Sequence, residues 1–546
     1  MRTESVIELD STACKKQANG IVSKENNNLF GYIIPPQNDP QIKMYAKIYS
    51  VHKYWSRKPW YPIAECIKKY SKEKDTVVDM FMGSGVTGLE AVIQNRNFIG
   101  YDLNPMSIFI AQNTFFADFS VKEFMVDLNK LRGKIDPIAK ELYSVSEKCD
   151  VCGNNLMVKH SNIGPKHEGQ ETVALFCFSC GTDRTKMVRA IKKNELGNSH
   201  TFRKPRISIP DGKFPKKFYK DRFSYKGVSA MSDMYTPRNY NFLGVLLKTI
   251  KKMDSKYKNL FLAAFSNTVL HASKLKSENV RPLNVNNYWI PDDYFEENPW
   301  FRFLERINLI VESKNILIHR IGGHGIGKSE FHNQSCFNTK LNSNSVDYIL
   351  TDPPYGDAIQ YSELSFIWNT WMGFHFDTNN EVVINPVQGK SVREFLLLLE
   401  QSVTEAARIL KKGKYYTLCF HNKDFHIWRG VLDIFKRNNF VLEHIDIVDT
   451  KGNPYNSNWA LFSPKSDLYL TFRKDVYRPH FYSEHGIMDF MRILAGEIST
   501  NDPAQLYDFV AVNLINDLYF NEYQVEVDGL NLKTIFSIYQ EVKRGD

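Results

Sequence analysis

Short apolar runs that end in polar or glycine-rich turns recur along the chain, several of them followed by stretches with helical spacing. Thr76-Val77-Val78 leads into residues 79–88, which hold three glycines, and then into Leu89-Glu90-Ala91-Val92-Ile93. That order predicts strand, tight turn and helix. Asn97-Phe98-Ile99-Gly100-Tyr101-Asp102 predicts a second strand ending in an acid. Phe124, Leu128, Leu131 and Ile135 recur at helical spacing up to Pro137, and residues 240–253 and 260–270 also have a helical pattern. The run Val346-Asp347-Tyr348-Ile349-Leu350-Thr351 predicts a strand that stops at Asp352-Pro353-Pro354-Tyr355. Residues 395–410 have helical periodicity and close on Lys411-Lys412-Gly413, a helix-end signal. Residues 415–420 and 467–472 predict late strands. Residues 475–546 predict mostly helix, and the polar residues 1–40, with Asn and Pro clusters, a loose arm.

With 546 residues the chain is long enough for two to four domains. No apolar run reaches the roughly 18 residues a membrane span needs. The N-terminal residues lack a signal-peptide pattern, so a cytoplasmic location is expected. Eight cysteines in a chain of this size do not make a disulfide scaffold. Cys14, Cys66, Cys336 and Cys419 stand alone and are expected to be reduced packing residues.

Charge changes the picture through its distribution. The net charge is +9, but residues 184–227 alone carry 14 lysines and arginines against Glu195, Asp211 and Asp221. Their +11 exceeds the total for the whole chain. Phe202, Phe214, Phe218, Tyr219, Phe223 and Tyr225 are interleaved with these charges. Such a block is either a solvated face or a polyanion site, and the rings favour nucleic-acid contact. Just before it stand Cys149-x-x-Cys152 and Cys177-x-x-Cys180, each pair followed by a glycine (Gly153, Gly181). Two such pairs can close a tetrahedral four-cysteine zinc site, which is structural because no position is left for substrate.

The turns carry the candidate chemistry. In Asp79-Met80-Phe81-Met82-Gly83-Ser84-Gly85-Val86-Thr87-Gly88 the glycines let backbone approach a ligand where a helix begins. Asp102, about twenty residues on, fits an acceptor for ribose hydroxyls; a dinucleotide site is the alternative. Upstream, His52-Lys53-Tyr54-Trp55-Ser56-Arg57-Lys58-Pro59-Trp60 reads as a wall of the same pocket or as an aromatic surface turn. Asp352-Pro353-Pro354-Tyr355 suits work on the exocyclic amine of a nucleobase. Asp352 and the Pro353 carbonyl can each accept one N–H, drawing the nitrogen toward tetrahedral geometry. Pro354 stiffens the turn, and Tyr355 can stack on the base. The bland reading is a strand-ending turn. Gly322-Gly323-His324-Gly325-Ile326-Gly327-Lys328-Ser329 matches the P-loop spacing, but residues 330–336 carry no helical apolar stripe. A flexible glycine loop leading to the catalytic strand is expected instead.

Residues 52–114 and 346–421 resemble S-adenosylmethionine-dependent amino-group DNA methyltransferases of the adenine-N6/cytosine-N4 type. The Lys58-Pro59 segment resembles the family's methionine-side motif. The glycine loop resembles its Asp-Pro-Phe-x-Gly-Ser-Gly motif, with Met80 in place of proline. Asp102-Leu103-Asn104-Pro105 resembles its ribose motif, and Asp352–Tyr355 its catalytic motif. Residues 356–365 are similar to a subgroup of bacterial adenine-specific methylases with a zinc ribbon. The resemblance implies an α/β fold with a Rossmann-like, mostly parallel methyltransferase sheet. It also implies a large inserted zinc-ribbon and helical recognition region between the cofactor and catalytic motifs. S-adenosylmethionine would lie against Trp55, Lys58, Pro59, Asp79, Phe81, Gly83, Ser84, Gly85, Thr87, Asp102, Leu103 and Asn104, with Asp352, Pro353, Pro354 and Tyr355 catalytic. DNA is the implied partner, in a nucleoid-associated setting, with restriction or phage-defence subunits as possible companions. Aspartate at the first catalytic position leans toward adenine. Cytosine N4 and RNA bases suit the same turn, and a non-catalytic DNA-recognition subunit is the reading from another class. The expected organisation is an arm (1–40), the cofactor half of the core (41–145) and an insertion (146–330). The insertion holds the ribbon (146–183) and the basic segment (184–227). The catalytic half of the core (331–475) and a C-terminal helical region (476–546) complete the chain.

Overall fold

The apolar runs become strands. The computed structural model describes residues 30–33, 39–167, 171–181, 183–191, 209–215, 218–219, 228–278, 288–323, 325–449, 466–478, 481–482, 487–498, 503–522 and 529–544. In chain order the main strands are β1 (Phe30–Ile33), β2 (Thr76–Asp79), β3 (Asn97–Tyr101), β4 (Ser144–Lys148), β5 (Asn155–Ile163), β6 (Glu171–Phe176) and β7 (Asp183–Ile191). They continue with β8 (Tyr294–Glu297), β9 (Ser329–His332), β10 (Val346–Thr351), β11 (Leu410–Phe420), β12 (Phe440–Asp449) and β13 (Ser466–Lys474). Two compact units divide the chain. Of the described residues, one unit takes 30–33, 340–355 and those from 399 onward, the other those within 39–339 and 356–398.

In the first unit the strand order is β1-β12-β13-β11-β10. β1 runs parallel to β12 and β10 parallel to β11, while β13 is antiparallel to both its neighbours. Every residue of β10 is buried, which is why its sequence is a continuous run rather than an alternation. Phe435, from the helix Phe425–Arg437, stacks on Phe472 of β13 with centroids 4.1 Å apart. Two expectations change here. Phe30–Ile33, placed by sequence in a loose arm, joins the sheet as β1, because β12 offers it a ladder of backbone donors and acceptors. The other residues before 39 lie outside the described ones. The helix Val392–Ile409 passes directly into β11, and Lys411-Lys412-Gly413 forms part of that strand. Gly413 has φ 74°, and the register against β10 shifts between Val346 and Tyr348, so the helix-end signal is a bulge within the strand.

In the second unit β2, β3 and β9 are successive parallel neighbours. The helix Val86–Ile93 connects β2 to β3 and packs on both. The helices Val121–Tyr143, Pro237–Lys251, Lys258–His271 and Pro299–Ile321 bury a core that includes Phe124, Leu131, Phe265, Trp300 and Trp371. The first of them runs through Pro137 instead of stopping there, since Ala139, Leu142 and Tyr143 continue its buried stripe. β4 to β7 form an antiparallel sheet in sequence order, with β8 added beside β5. Taken together, the strands of the α/β core pair mostly in parallel. No described helix is long and apolar enough to cross a membrane.

The basic segment begins on β7, which carries Arg184, Lys186 and Arg189, while residues 192–208, 216–217 and 220–227 lie outside the described ones. Phe214 and Phe218 are buried against Tyr288 and Phe366, so these two rings are core and do not face nucleic acid. The P-loop-like residues run in the opposite sense to a phosphate loop. Gly322 caps the end of the helix Pro299–Ile321, and Ser329 opens β9 beside β3, an edge strand and not the expected β10. Gly327 has no room for a side chain, since a Cβ would fall 1.6 Å from the Arg96 carbonyl oxygen.

Candidate functional site

In the second unit the glycine loop is tied from both sides. Asp79, buried at the end of β2, accepts the Phe81 N–H at 3.0 Å. Met82 N–H donates to the Tyr101 carbonyl, keeping the loop beside β3. Gly83 and Gly85 have φ of 49° and 83°, the left-handed region that glycine occupies without steric cost. A Cβ on Gly85 would stand 2.9 Å from that of Ala111, so here the backbone itself packs against the next helix. The helix Val86–Ile93 starts directly after this turn, with Thr87 buried in its first turn.

Asp102 links the loop to the segment after β3. One carboxylate oxygen accepts Gly83 N–H at 2.9 Å and the other Asn104 N–H at 2.8 Å. Part of the residue faces solvent, yet the carboxyl sits deep among its neighbours, and this desolvation pushes its pKa up to about 7 against the pull of those two N–H donors. Leu103 is half-buried, and buried Asn104 caps the helix Pro105–Phe115 through Met106 N–H. The segment before the loop closes the other side. Trp55 and Lys58 are buried, Pro59 is exposed, and the helix Trp60–Tyr70 begins right after it. Tyr54 bonds Ser107 at 2.9 Å and lies against Gly83. Sequence reasoning passed over Arg57. Its Nε donates to Ser84 Oγ at 3.1 Å, and its other nitrogens hold the Tyr49 and His52 carbonyls. Its position between Trp55 and Lys58 was the available signal. His52 is buried and bonds Ser266 at 3.0 Å; burial lowers its pKa to about 3, so the ring is neutral.

These residues therefore converge on one loop. Asp102, partly open to solvent, keeps carboxylate lone pairs that suit the hydroxyls of a ribose-bearing ligand such as S-adenosylmethionine.

In the first unit the turn after β10 closes on itself. The Tyr355 hydroxyl donates to Asp352 Oδ1. Burial and the Asp352 carboxylate together push the tyrosine pKa well up, so the hydroxyl keeps its proton. The Tyr355 ring packs edge-on to Phe420 at 5.1 Å and leans on His421 at 4.4 Å. Asn422 Nδ2 holds the Tyr355 carbonyl at 3.2 Å, and His421 Nδ1 bonds Asp467 at 2.7 Å. His421 and Asn422 were also missed by sequence reasoning, although a polar pair at the C-terminal end of a core strand is where ligands meet such sheets. Pro353 is buried and Pro354 half-buried.

Cys149, Cys152, Cys177 and Cys180 bring their sulfurs within 4.8 Å of one another. The Cys149–Cys180 and Cys152–Cys177 separations of 3.6 and 3.4 Å are far too long for disulfides. They approach the roughly 3.8 Å edge of a tetrahedron with metal–sulfur bonds of about 2.3 Å. Gly153 and Gly181 take φ of 71° and 74°, and their N–H groups bond back to the Cys149 and Cys177 carbonyls, giving two matching knuckles. Cys66, Cys336 and Cys419 are buried, as expected, and Cys14 lies outside the described residues.

Residues 13–113 match the family model of N6/N4 methyltransferases, described as DNA methylase. The type II methyltransferase M.BglI of Bacillus subtilis is 38% identical over 69 residues, which cover 13% of this chain and 18% of that protein. Among solved structures, a SAM-dependent methyltransferase from Methanosarcina mazei aligns over 76% of this chain and 98% of its own, at 8% identity and a TM-score of 0.26. Geranyl diphosphate C-methyltransferase from Streptomyces coelicolor aligns over 30% and 60%, at 11% identity and a TM-score of 0.16. With TM-scores this low, neither structure adds to the fold or the site.

Proposed function

We propose, for a chain whose residues 13–113 carry the DNA methylase signature, that it transfers a methyl group from S-adenosylmethionine to adenine N6 of a flipped-out base in DNA. That match carries the reading, because it covers the glycine loop and Asp102 together. When bound, the cofactor supplies a methyl group already activated by a positively charged sulfur. Asp102 accepts its ribose hydroxyls, while Trp55, Lys58 and Pro59 wall the methionine side, and Asp79, Phe81, Ser84 and Thr87 support the loop. Arg57 keeps the wall and the loop in register. Asp352 and the Pro353 carbonyl accept the two amine N–H groups, so the nitrogen lone pair is freed from the base ring. Tyr355 gives up its bond to Asp352 and turns its ring to the base. Extruding the base costs a few kcal/mol, and stacking on a ring returns about 1–3 kcal/mol.

The four cysteines hold a structural zinc in this reading. Metal analysis of the purified chain should return one zinc per chain, and Cys152→Ser should lose it. Absence of zinc from well-folded protein would reject the assignment. A role in restriction-modification or phage defence belongs to the same proposal. Mapping modified bases in the genome of cells with and without the gene tests the whole reading, with N6-methyladenine at a defined sequence disappearing with the gene. N4-methylcytosine in its place would move the target to cytosine. Methylation confined to RNA would change the polymer, and no modification alongside tight DNA binding would favour a recognition subunit.

A further inference from the structure

The helix Phe366–Met372 belongs to the same unit as the glycine loop and delivers Asn369 to Asn104. Asn369 Nδ2 donates to Asn104 Oδ1 at 3.2 Å and to Ser365 Oγ at 3.1 Å. Asn104 Oδ1 also accepts Met106 N–H, which fixes the orientation of that amide. The orientation of Asn369 is fixed in turn, because reversing it would set two oxygens face to face. Both residues are buried, with 2% and 5% of their surface exposed. Even so, Asn104 Nδ2 and Asn369 Oδ1 have no partner among the described residues, and neither has Nε1 of the adjoining, buried Trp368. Native proteins hold few such groups, because a buried donor or acceptor left unpaired forfeits its hydration without return.

Their surroundings indicate what they await. Asn104 lies two residues beyond Asp102, whose carboxylate holds Gly83. The Trp368 ring packs on Trp55 at 4.5 Å and on His52 at 4.7 Å, in the segment that leads to Lys58-Pro59. Two unpaired donors and one unpaired acceptor are the complement of a zwitterionic α-amino acid, whose carboxylate accepts and whose ammonium donates. We propose that Asn369 and Asn104, with Trp368 beside them, bind the amino-acid end of the sulfonium cofactor. This assignment rests on the methyltransferase reading and adds to the site a residue from beyond the catalytic turn.

Calorimetric titration of the full chain with two compounds tests it. S-adenosylhomocysteine carries the amino-acid end; methylthioadenosine keeps the nucleoside and lacks that end. Asn369→Ala should weaken S-adenosylhomocysteine about tenfold or more and methylthioadenosine less than about twofold, from loss of one hydrogen bond to a charged group. Trp368→Phe, which preserves the ring packing, should weaken only S-adenosylhomocysteine, by several-fold, and serves if Asn369→Ala does not fold. Equal weakening of both compounds, or unchanged S-adenosylhomocysteine affinity, overturns the proposal and leaves the methyltransferase reading standing. Wild-type protein that binds neither compound overturns that reading and the proposal with it.

Discussion

The glycine loop and the Asp352 turn each follow a buried parallel strand, yet they hold their polar groups in opposite ways. The loop is fixed by residues outside it, with Arg57 on Ser84 and Asp102 on Gly83. Its shape is held by the chain's own hydrogen bonds. At the turn the Asp352 carboxylate accepts from within, from Tyr355, in the place where a base amine would donate, while Asn422 holds the Tyr355 carbonyl from outside. A preorganised loop suits a cofactor that is always the same, since it loses little entropy on binding. A self-bonded turn suits a substrate that must first leave a duplex, because the carboxylate stays hydrogen-bonded until the amine replaces the phenol.

The largest effect should separate the two regions completely. Asp352→Ala is expected to lower single-turnover methyl transfer by about 10²–10⁴-fold, the range for a positioned acid–base group, with S-adenosylmethionine affinity changed less than twofold. Parallel loss of cofactor binding would erase the contrast. The second effect is a pH dependence confined to the loop. Asp102 is neutral below about pH 7 and ionised above it, and ribose hydroxyls donate better to the ionised form. Cofactor affinity should therefore rise about tenfold from pH 6 to pH 8 and flatten in Asp102→Asn. A flat wild-type profile would show that the carboxylate does not meet the ribose. Arg57→Lys keeps the charge but cannot span Ser84 and two carbonyls. A loss of about five- to tenfold in cofactor affinity is expected by calorimetry, with kcat little changed. A fall in kcat alone would place Arg57 in chemistry. The smallest effect should come from Tyr355→Phe, which removes the self-bond and keeps the ring. Transfer should stay within about fivefold of wild type with a lower KM for DNA, and a collapse as deep as that of Asp352→Ala would give the hydroxyl a chemical role.

The regions also differ in how far their sequences could be read. Gly83 and Gly85 had to be glycine for their backbone angles, and the four cysteines announced their cluster by spacing, so both were legible from local pattern. β10 was legible because burial on both faces leaves Tyr348-Ile349-Leu350 as an unbroken apolar run. Contacts between distant segments were not. Nothing near Asn369 marks it as a partner of Asn104, and nothing in Phe30–Ile33 declares the edge of β12. Arg57 and His421 are polar residues beside strong motifs, and only the folded chain shows what they hold. Phe214 and Phe218 misled for the same reason, because basic neighbours say nothing about which rings are buried. Lys411-Lys412-Gly413 carries the signature of a helix end, while pairing with β10 draws it into a strand.

One assay reaches the central claim directly. Duplex DNA of varied sequence is incubated with the full chain and methyl-labelled S-adenosylmethionine, then digested to nucleosides and separated. The label should appear as N6-methyladenosine of the deoxy series, and Asp352→Ala should abolish it. Label absent from DNA although the chain binds the cofactor, or undiminished label with Asp352→Ala, would contradict the account.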